Sequence, residues 1–186
     1  MQRHYFIAVK LPAELKTKLA EFCKHIKKDH HFKTWVHLED LHITLAFLGS
    51  ASTRQLETLH SLLKEEVTNH DEFSLKVDHF GFFGNKQNPR IFWAGIKEQH
   101  SLYRLQKQVS YVCTEAGFTL ENRPYAPHIT LARKHIDSED RSINAADWWK
   151  QYGEEIPFNV EKIVIYETHT EKQPKYEIVQ SFSLQN

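Results

Sequence analysis

The chain has 186 residues, 40% hydrophobic and 26% charged, enough apolar material for one well-buried core and near the upper end for a single domain. Lys plus Arg number 24 and Asp plus Glu number 24, so there is no large positive field of the kind that drives sequence-independent duplex binding, and any nucleic-acid contact must be local. Cys23 and Cys113 lack CxxC spacing, which fits neither a disulfide-stapled secreted scaffold nor a four-ligand zinc site. The apolar run in the opening MQRHYFIAVKLP is broken by lysine and proline, too short for a signal segment or a membrane span. The expectation is a soluble, cytoplasmic monomer with no membrane partner.

Residues 4–10 (HYFIAVK) read as a strand, and Pro12 opens a helix with apolar positions at Leu15, Leu19, Phe22, Cys23 and Ile26. The stretch TWVHLEDLHITLAFLG closes at Gly49 and reads as a strand at its apolar end. On that strand Phe47 falls off the face of His42 by parity and is expected in the core. Ser52 and Gln55 form a capping-box pattern ahead of a second helix with Leu56, Leu59, Leu63 and Val67. Phe73, Leu75 and Val77 alternate with polar residues as in a half-buried strand, and RIFWAGI at 90–96 pairs with it across the NKQNP loop. A third helix carries Leu102, Leu105, Val109, Val112 and Cys113, with Gly117 where a left-handed cap is wanted. PHITLAR at 127–133 is a strand, a polar insert with Trp148 and Trp149 spans 137–155, and segments 157–167 and 176–184 are β-rich.

His-Ile-Thr-Leu occurs twice, at 42–45 and 128–131, an offset of 86. The same offset carries Phe6-Ile7-Ala8 onto Phe92-Trp93-Ala94, Leu19 onto Leu105, Cys23 onto Val109 and Ile26 onto Val112. The chain therefore reads as a single bilobal domain over 1–186, built by internal duplication of a strand-helix-strand unit. The expected class is α+β: two lobes of largely antiparallel sheet related by a pseudo-twofold, with outer helices and a central cleft that receives both motif strands.

Successive side chains of a strand alternate faces, so His42 and Thr44 share one face while Ile43 and Leu45 take the other, and His128 and Thr130 repeat the pattern. Two such pairs facing each other can enclose a phosphate. In-line displacement at phosphorus needs a base to activate the nucleophile and an acid to protonate the leaving oxygen, and two histidines near an ordinary pKa of ~6.5 supply both. Thr44 and Thr130 offer donors to nonbridging oxygens, and no cofactor or metal is required.

These landmarks, FIAVKLP at 6–12, LHITLAFLG at 41–49, PRIFWAGI at 89–96, GFTLENRPYAPHITLAR at 117–133, with Tyr166 and Tyr176, cover most of the chain. They resemble the two-histidine phosphoesterases, and within them the RNA 2′,3′-cyclic phosphodiesterases, also described as 2′-5′ RNA ligases. The resemblance implies opening of a terminal 2′,3′-cyclic phosphate on RNA to a 2′-phosphomonoester, with His42 as proton donor and His128 as the acceptor that activates water. It also implies that 2′-5′ ligation is the same displacement reversed. Arg133 matches the arginine of the family's PHITLAR segment and suits a phosphate oxygen, although its odd offset from His128 turns it from the cleft unless the strand ends or bulges. Phe6 stands where the family places an aromatic and is a candidate for stacking on the terminal base, an ordinary core phenylalanine being the alternative. Tyr125 is a further candidate for the cleft lining. The partner is thus an RNA 3′-terminus or a nucleotide cyclic phosphate. Competing readings are a phosphodiesterase of small cyclic nucleotides or 2′-5′ oligoadenylates, and a non-catalytic RNA-end-binding module.

Overall fold

The computed structural model describes residues 3–85, 88–136 and 143–186. The first part of the expected insert, 137–142, lies outside the described residues. Strand β1 (His4–Lys10) leads into helix α1 (Ala13–Ile26), then β2 (Phe32–Trp35), a short 3-10 turn at Leu38–Asp40, and β3 (His42–Ser50). Helix α2 (Thr53–Val67) is followed by β4 (Phe73–Gly84), β5 (Pro89–Ile96), α3 (His100–Glu115) and β6 (His128–His135). The chain ends with α4 (Ala145–Tyr152), β7 (Ile156–Val160), β8 (Lys162–Thr168) and β9 (Tyr176–Ser183).

Local chemistry accounts for the helix limits. The amide of Gln55 donates to Ser52 Oγ at 3.2 Å and the amide of Ser52 donates to Gln55 Oε1 at 3.1 Å, the reciprocal box read from the sequence. Beyond α3, Gly117 takes φ +83° and its amide donates to the Thr114 carbonyl, a backbone turn that a side chain would strain.

The fold is α+β, and its strands form one antiparallel sheet in the order β7-β4-β5-β6-β3-β1-β8-β9, with β2 added beside β6. Two features go beyond the sequence reading. The β-rich segment 157–167 belongs to two strands: β7 pairs with β4 at one edge of the sheet and β8 pairs with β1 on the other side. The repeats also do not each build their own sheet. The strand-helix-strand units are β1-α1-β3 and β5-α3-β6, yet β4, which follows the first unit in the chain, lies beside β5 of the second, while β8, which follows the second, lies beside β1 of the first. The short β4–β5 connection explains this, because strands that follow one another closely in sequence pair locally.

The two faces of the sheet differ. One carries the main core, in which Ile7, Val9, Ile43, Leu45, Ile129 and Leu131 pack with Leu15, Leu19, Leu59, Leu105 and Val109 of the helices. Trp148 of α4 is buried in this core against Phe82 and Phe92. The opposite face holds a second, small cluster of Phe6, Ala8, Val164 and Tyr166, with Tyr176 packed on it.

Each motif strand carries a bulge at the same place. Thr44 pairs with Ala8 and Ala46 with Ile7, leaving Leu45 as the extra residue; Thr130 pairs with Trp93 and Ala132 with Phe92, leaving Leu131. Both bulged positions and the alanines after them are buried, so alternation restarts one residue late. Phe47 and Arg133, each five residues after its histidine, therefore turn to the face of the histidines. Phe47 is 62% exposed, which corrects its placement in the core. The pairings correct a second expectation: Ala8 and Trp93 hold equivalent places opposite Thr44 and Thr130, an offset of 85 for these strands rather than 86. Phe6 and Phe92 are not counterparts, since Phe92 is buried on the helix side with Phe32 and Phe80.

Glycines on β4 and β5 let two rings lie flat across neighbouring strands. A Cβ on Gly81 would stand 2.2 Å from the Trp93 indole, and one on Gly95 would stand 2.1 Å from the His79 imidazole. Gly81→Ala should lower stability by about 1–3 kcal/mol, the usual cost of overpacking, as read from the urea midpoint; an unchanged midpoint would mean that Trp93 has another resting place.

Candidate active site

The two motif strands meet at one antiparallel rung, Ile43 opposite Ile129. With both isoleucines buried on the helix side, His42, Thr44, His128 and Thr130 share the other face, and the antiparallel direction sets His42 level with Thr130 and His128 level with Thr44. All four side chains are half-buried.

Both histidines are held by the same bond. Nδ1 of His42 lies 2.7 Å from the carbonyl oxygen of Asp40, and Nδ1 of His128 lies 2.7 Å from the carbonyl oxygen of Ala126, two residues back in each case. A carbonyl only accepts, so each Nδ1 carries the hydrogen and each Nε2 is left for chemistry. His42 Nε2 is 3.1 Å from Thr44 Oγ1, the hydroxyl donating to it.

Burial pushes the proton affinity of both rings down. His42 falls from the ordinary 6.5 to about 4, chiefly by desolvation, opposed by the Asp40 carbonyl and reinforced by the His128 and Arg133 charges. His128 is also lowered, first by burial and further by Arg133, with the Ala126 carbonyl acting the other way. The Arg133 guanidinium thus acts on both imidazoles and also on the Tyr176 phenol. Its delivery to this face depends on the bulge at Leu131.

Phe6 lies in the site in a different way from the expected stacking surface. Its ring contacts His42, Tyr166, Tyr176 and Phe47 at centroid distances of 4.8, 5.1, 4.8 and 5.7 Å, and it is 2% exposed. With no open face, Phe6 forms the backing of His42. Tyr125 also departs from its expected role: its hydroxyl donates to the Thr44 carbonyl at 3.1 Å while the ring packs with the main core, so it braces β3.

Sequence reasoning missed Asp40 and the aromatic surround. The Asp40 carboxylate is buried and accepts the backbone amides of Lys175 and Tyr176, both at 3.0 Å, which fixes the start of β9 and lays Tyr176 edge-on against His42. Around His128 the neighbours are Phe83 at 4.9 Å and Trp93 at 6.0 Å. A signal for the bulge was available: the +5 spacing of Arg133 from His128 is repeated by Phe47 after His42. Asp40 had none, because its partners are amides 135 and 136 residues away.

Among the described residues, no group of three or more His, Cys, Asp or Glu side chains is arranged to hold a metal ion. Among them, too, no helix is long and apolar enough to cross a membrane.

The chain matches the family model described as the 2′-5′ RNA ligase superfamily over residues 15–172. It is 40% identical over 187 residues to a Geobacillus stearothermophilus protein named RNA 2′,3′-cyclic phosphodiesterase, covering 97% of this chain and 57% of that protein. A Bacillus subtilis (strain 168) protein of the same name is 33% identical over 181 residues, covering 97% and 96%. Among solved structures, Escherichia coli LigT complexed with 3′-AMP superposes with a TM-score of 0.78 at 23% identity, over the whole of both chains, a likeness of fold.

Two outcomes are expected from this geometry. Asp40→Ala leaves two amides without their charged acceptor and should cost about 1.5–3 kcal/mol in chemical denaturation, with loss of the Tyr176 contact to His42; an equally stable variant would remove Asp40 from the frame of the site. In a ring-proton NMR titration of the free protein, His42 should stay neutral until near pH 4 and His128 should titrate below its ordinary range. The unfolded chain takes up the His42 proton first as pH falls from 6.5 toward about 4, so folded stability must decline across that window. Titration of both rings at the ordinary value would contradict this account of their burial.

Proposed function

Because this chain belongs to the 2′-5′ RNA ligase superfamily, we propose that it hydrolyses the terminal 2′,3′-cyclic phosphate of RNA to a 2′-phosphomonoester, using His42 and His128 as an acid–base pair. The observation that carries this reading is the matched tethering of the two histidines on one shared face, each with Nδ1 bound to the carbonyl two residues back, so that Nε2 is the nitrogen available for proton transfer. Relatives at 40% and 33% identity named RNA 2′,3′-cyclic phosphodiesterase support the substrate class.

His128 Nε2 accepts a proton from water as the water oxygen bonds to phosphorus on one side. The P–O3′ bond breaks on the other, and O3′ takes a proton from Nε2 of protonated His42, leaving the phosphate on O2′. One proton is taken up and one is given, so the pair ends in the opposite state and resets through solvent. Thr44 and Thr130 stand two residues after each histidine, where their hydroxyls serve nonbridging oxygens, and Arg133 adds the charge that stabilises them. The threonine bonded to His42 in the free protein is released when that ring donates to substrate. With a ribose 5′-hydroxyl in place of water as the nucleophile, the same displacement, again breaking P–O3′, makes a 2′-5′ linkage. Every group in this scheme comes from the chain itself, so turnover should survive EDTA.

The test is an oligoribonucleotide ending in 2′,3′-cyclic phosphate, incubated with protein and EDTA and analysed for 2′- and 3′-phosphate ends. His42→Ala and His128→Ala should each cut kcat on the order of 100- to 10,000-fold, the usual cost of losing one proton-transfer group. A fully active single variant, or no conversion by the wild type, would overturn the reading.

A further inference from the structure

The row of paired residues that carries His42 continues outward into two lysines. Lys10 of β1 pairs directly with His42, and Val9, one residue earlier, pairs with Ile163 of β8. Val9 and Ile163 are buried in the main core, so Lys10 and Lys162 beside them turn to the other face, the face of Ala8 and Val164. With strands about 4.8 Å apart, His42, Lys10 and Lys162 stand in line across β3, β1 and β8. Both lysines are half-buried and line a cavity of about 550 Å³. Its wall includes Leu38 and Glu39, from the turn that leads to Asp40 and so to the carbonyl holding His42. Glu39 bonds Lys16 at 2.9 Å, and neither Lys10 nor Lys162 forms an ion pair among the described residues; Glu161 is the one other carboxylate on the lining. Lys16 is the main cause that holds the Glu39 carboxyl low, with Lys10 adding to it, whereas the His42 ring, beyond its burial, feels chiefly the His128, Arg133 and Asp40 charges. The Lys10 ammonium thus reaches past the reacting centre toward the cavity.

The other half of the sheet lacks this charge. The offset of 85 carries Lys10 onto Gly95, which pairs with His128 as Lys10 pairs with His42. The space above Gly95 is filled by the His79 ring of β4, whose Nδ1 lies 2.6 Å from the Asp78 carboxylate. Any charge on that imidazole has its own counter-ion, so of the two rows only the one through His42 ends in unpaired cations.

In-line displacement gives that side a meaning. Water enters from His128 and O3′ leaves toward His42, so the line from nucleophile to leaving group runs across the sheet toward β1 and β8. C3′, which bears O3′, leads through C4′ and C5′ to the phosphodiester on the 5′ side of the terminal nucleotide, whereas C2′ leads to C1′ and the base. The next phosphate of an RNA chain therefore lies beyond His42, where the two lysines stand. We propose that Lys10 and Lys162 bind this internucleotide phosphate, so that the site takes the end of an RNA chain in preference to a free mononucleotide 2′,3′-cyclic phosphate. The assignment rests on the phosphodiesterase reading given above, with His42 as the proton donor. An ammonium on a flexible stem acts as a point charge, which suits a backbone phosphate held without regard to sequence.

The experiment compares three substrates: adenosine 2′,3′-cyclic phosphate, the adenine dinucleotide ending in 2′,3′-cyclic phosphate, and the same dinucleotide with an uncharged methylphosphonate as its internucleotide link. For the wild type, kcat/KM should be about 10-fold or more higher for the charged dinucleotide than for either of the others, with the difference in KM rather than kcat. That advantage should shrink as salt is added, because it comes from one backbone charge. The double variant Lys10→Gln, Lys162→Gln should lose most of the advantage and of its salt dependence, and Lys10→Arg, Lys162→Arg should keep both. Thermal unfolding checks that the variants remain folded, and the methylphosphonate comparison tests the claim on the wild type alone. Equal kcat/KM for the charged and uncharged dinucleotides, or an advantage of the same size in the wild type and the folded glutamine variant, would overturn the lysine subsite while leaving the phosphodiesterase reading intact. Failure of the wild type to convert any of the three would instead overturn that reading, and the subsite with it.

Discussion

A single hydrogen-bonded rung, Ile43 opposite Ile129, joins the two halves of the sheet, and the cleft exists because of it. Both isoleucines are fully buried on the helix side, which by alternation commits the residues before and after them to the other face. A slip of one residue in either strand would drive that strand's histidine and threonine toward the hydrophobic core and its isoleucine into the cleft. The apolar cost of that slip makes the register robust, so the position of the chemistry is set by packing rather than by any contact within the site. The placement of β4 beside β5 and of β8 beside β1 adds to this, because each half of the sheet is built from strands of both the first and the second part of the chain.

The parts of this arrangement that were legible in the sequence are those governed by local rules. The His-Ile-Thr-Leu repeats, the apolar stripes of α1 and α3, the Ser52–Gln55 box and the left-handed Gly117 all depend on residues within a few positions of one another. What escaped was decided by partners far along the chain. The division of 157–167 into β7 and β8 reflects two different neighbouring strands, β4 and β1, each claiming part of one apolar run. The bulges at Leu45 and Leu131 shift alternation only beyond the motifs, so the parity rule held for His42, Thr44, His128 and Thr130 and failed for Phe47. The match of Phe6 to Phe92 was a similarity of letters, and the strand pairings show that one faces the cleft and the other the core.

The two motif strands share the same frame of bulge and carbonyl tether, and the differences between them fall at equivalent positions. The residue two before each histidine supplies the carbonyl that holds Nδ1, and any residue type can do this through its backbone. Its side chain is therefore free to diverge: Ala126 carries nothing, whereas the Asp40 carboxylate ties down Lys175 and Tyr176. The residue five after each histidine diverges in the same way, into Phe47 and Arg133. A symmetric scaffold thus supports an asymmetric cleft, as a substrate with chemically different ends requires.

That asymmetry bears on how one ring comes to be protonated. In the free protein desolvation outweighs every other influence on His42 and holds it neutral near pH 7. The same low-polarity surroundings strengthen its attraction to an anion, because a charge pair shielded from water interacts through a smaller effective dielectric. A bound phosphate therefore raises the proton affinity of the rings it touches, opposing the burial that had lowered it. The Asp40 charge already raises the proton affinity of His42, and the alanine behind His128 has no equivalent effect. Arg133 opposes protonation of both. Once an anion offsets desolvation, the Asp40 carbonyl and carboxylate favour the proton on His42 while the His128 and Arg133 charges oppose it, so protonation of that ring depends on the anion.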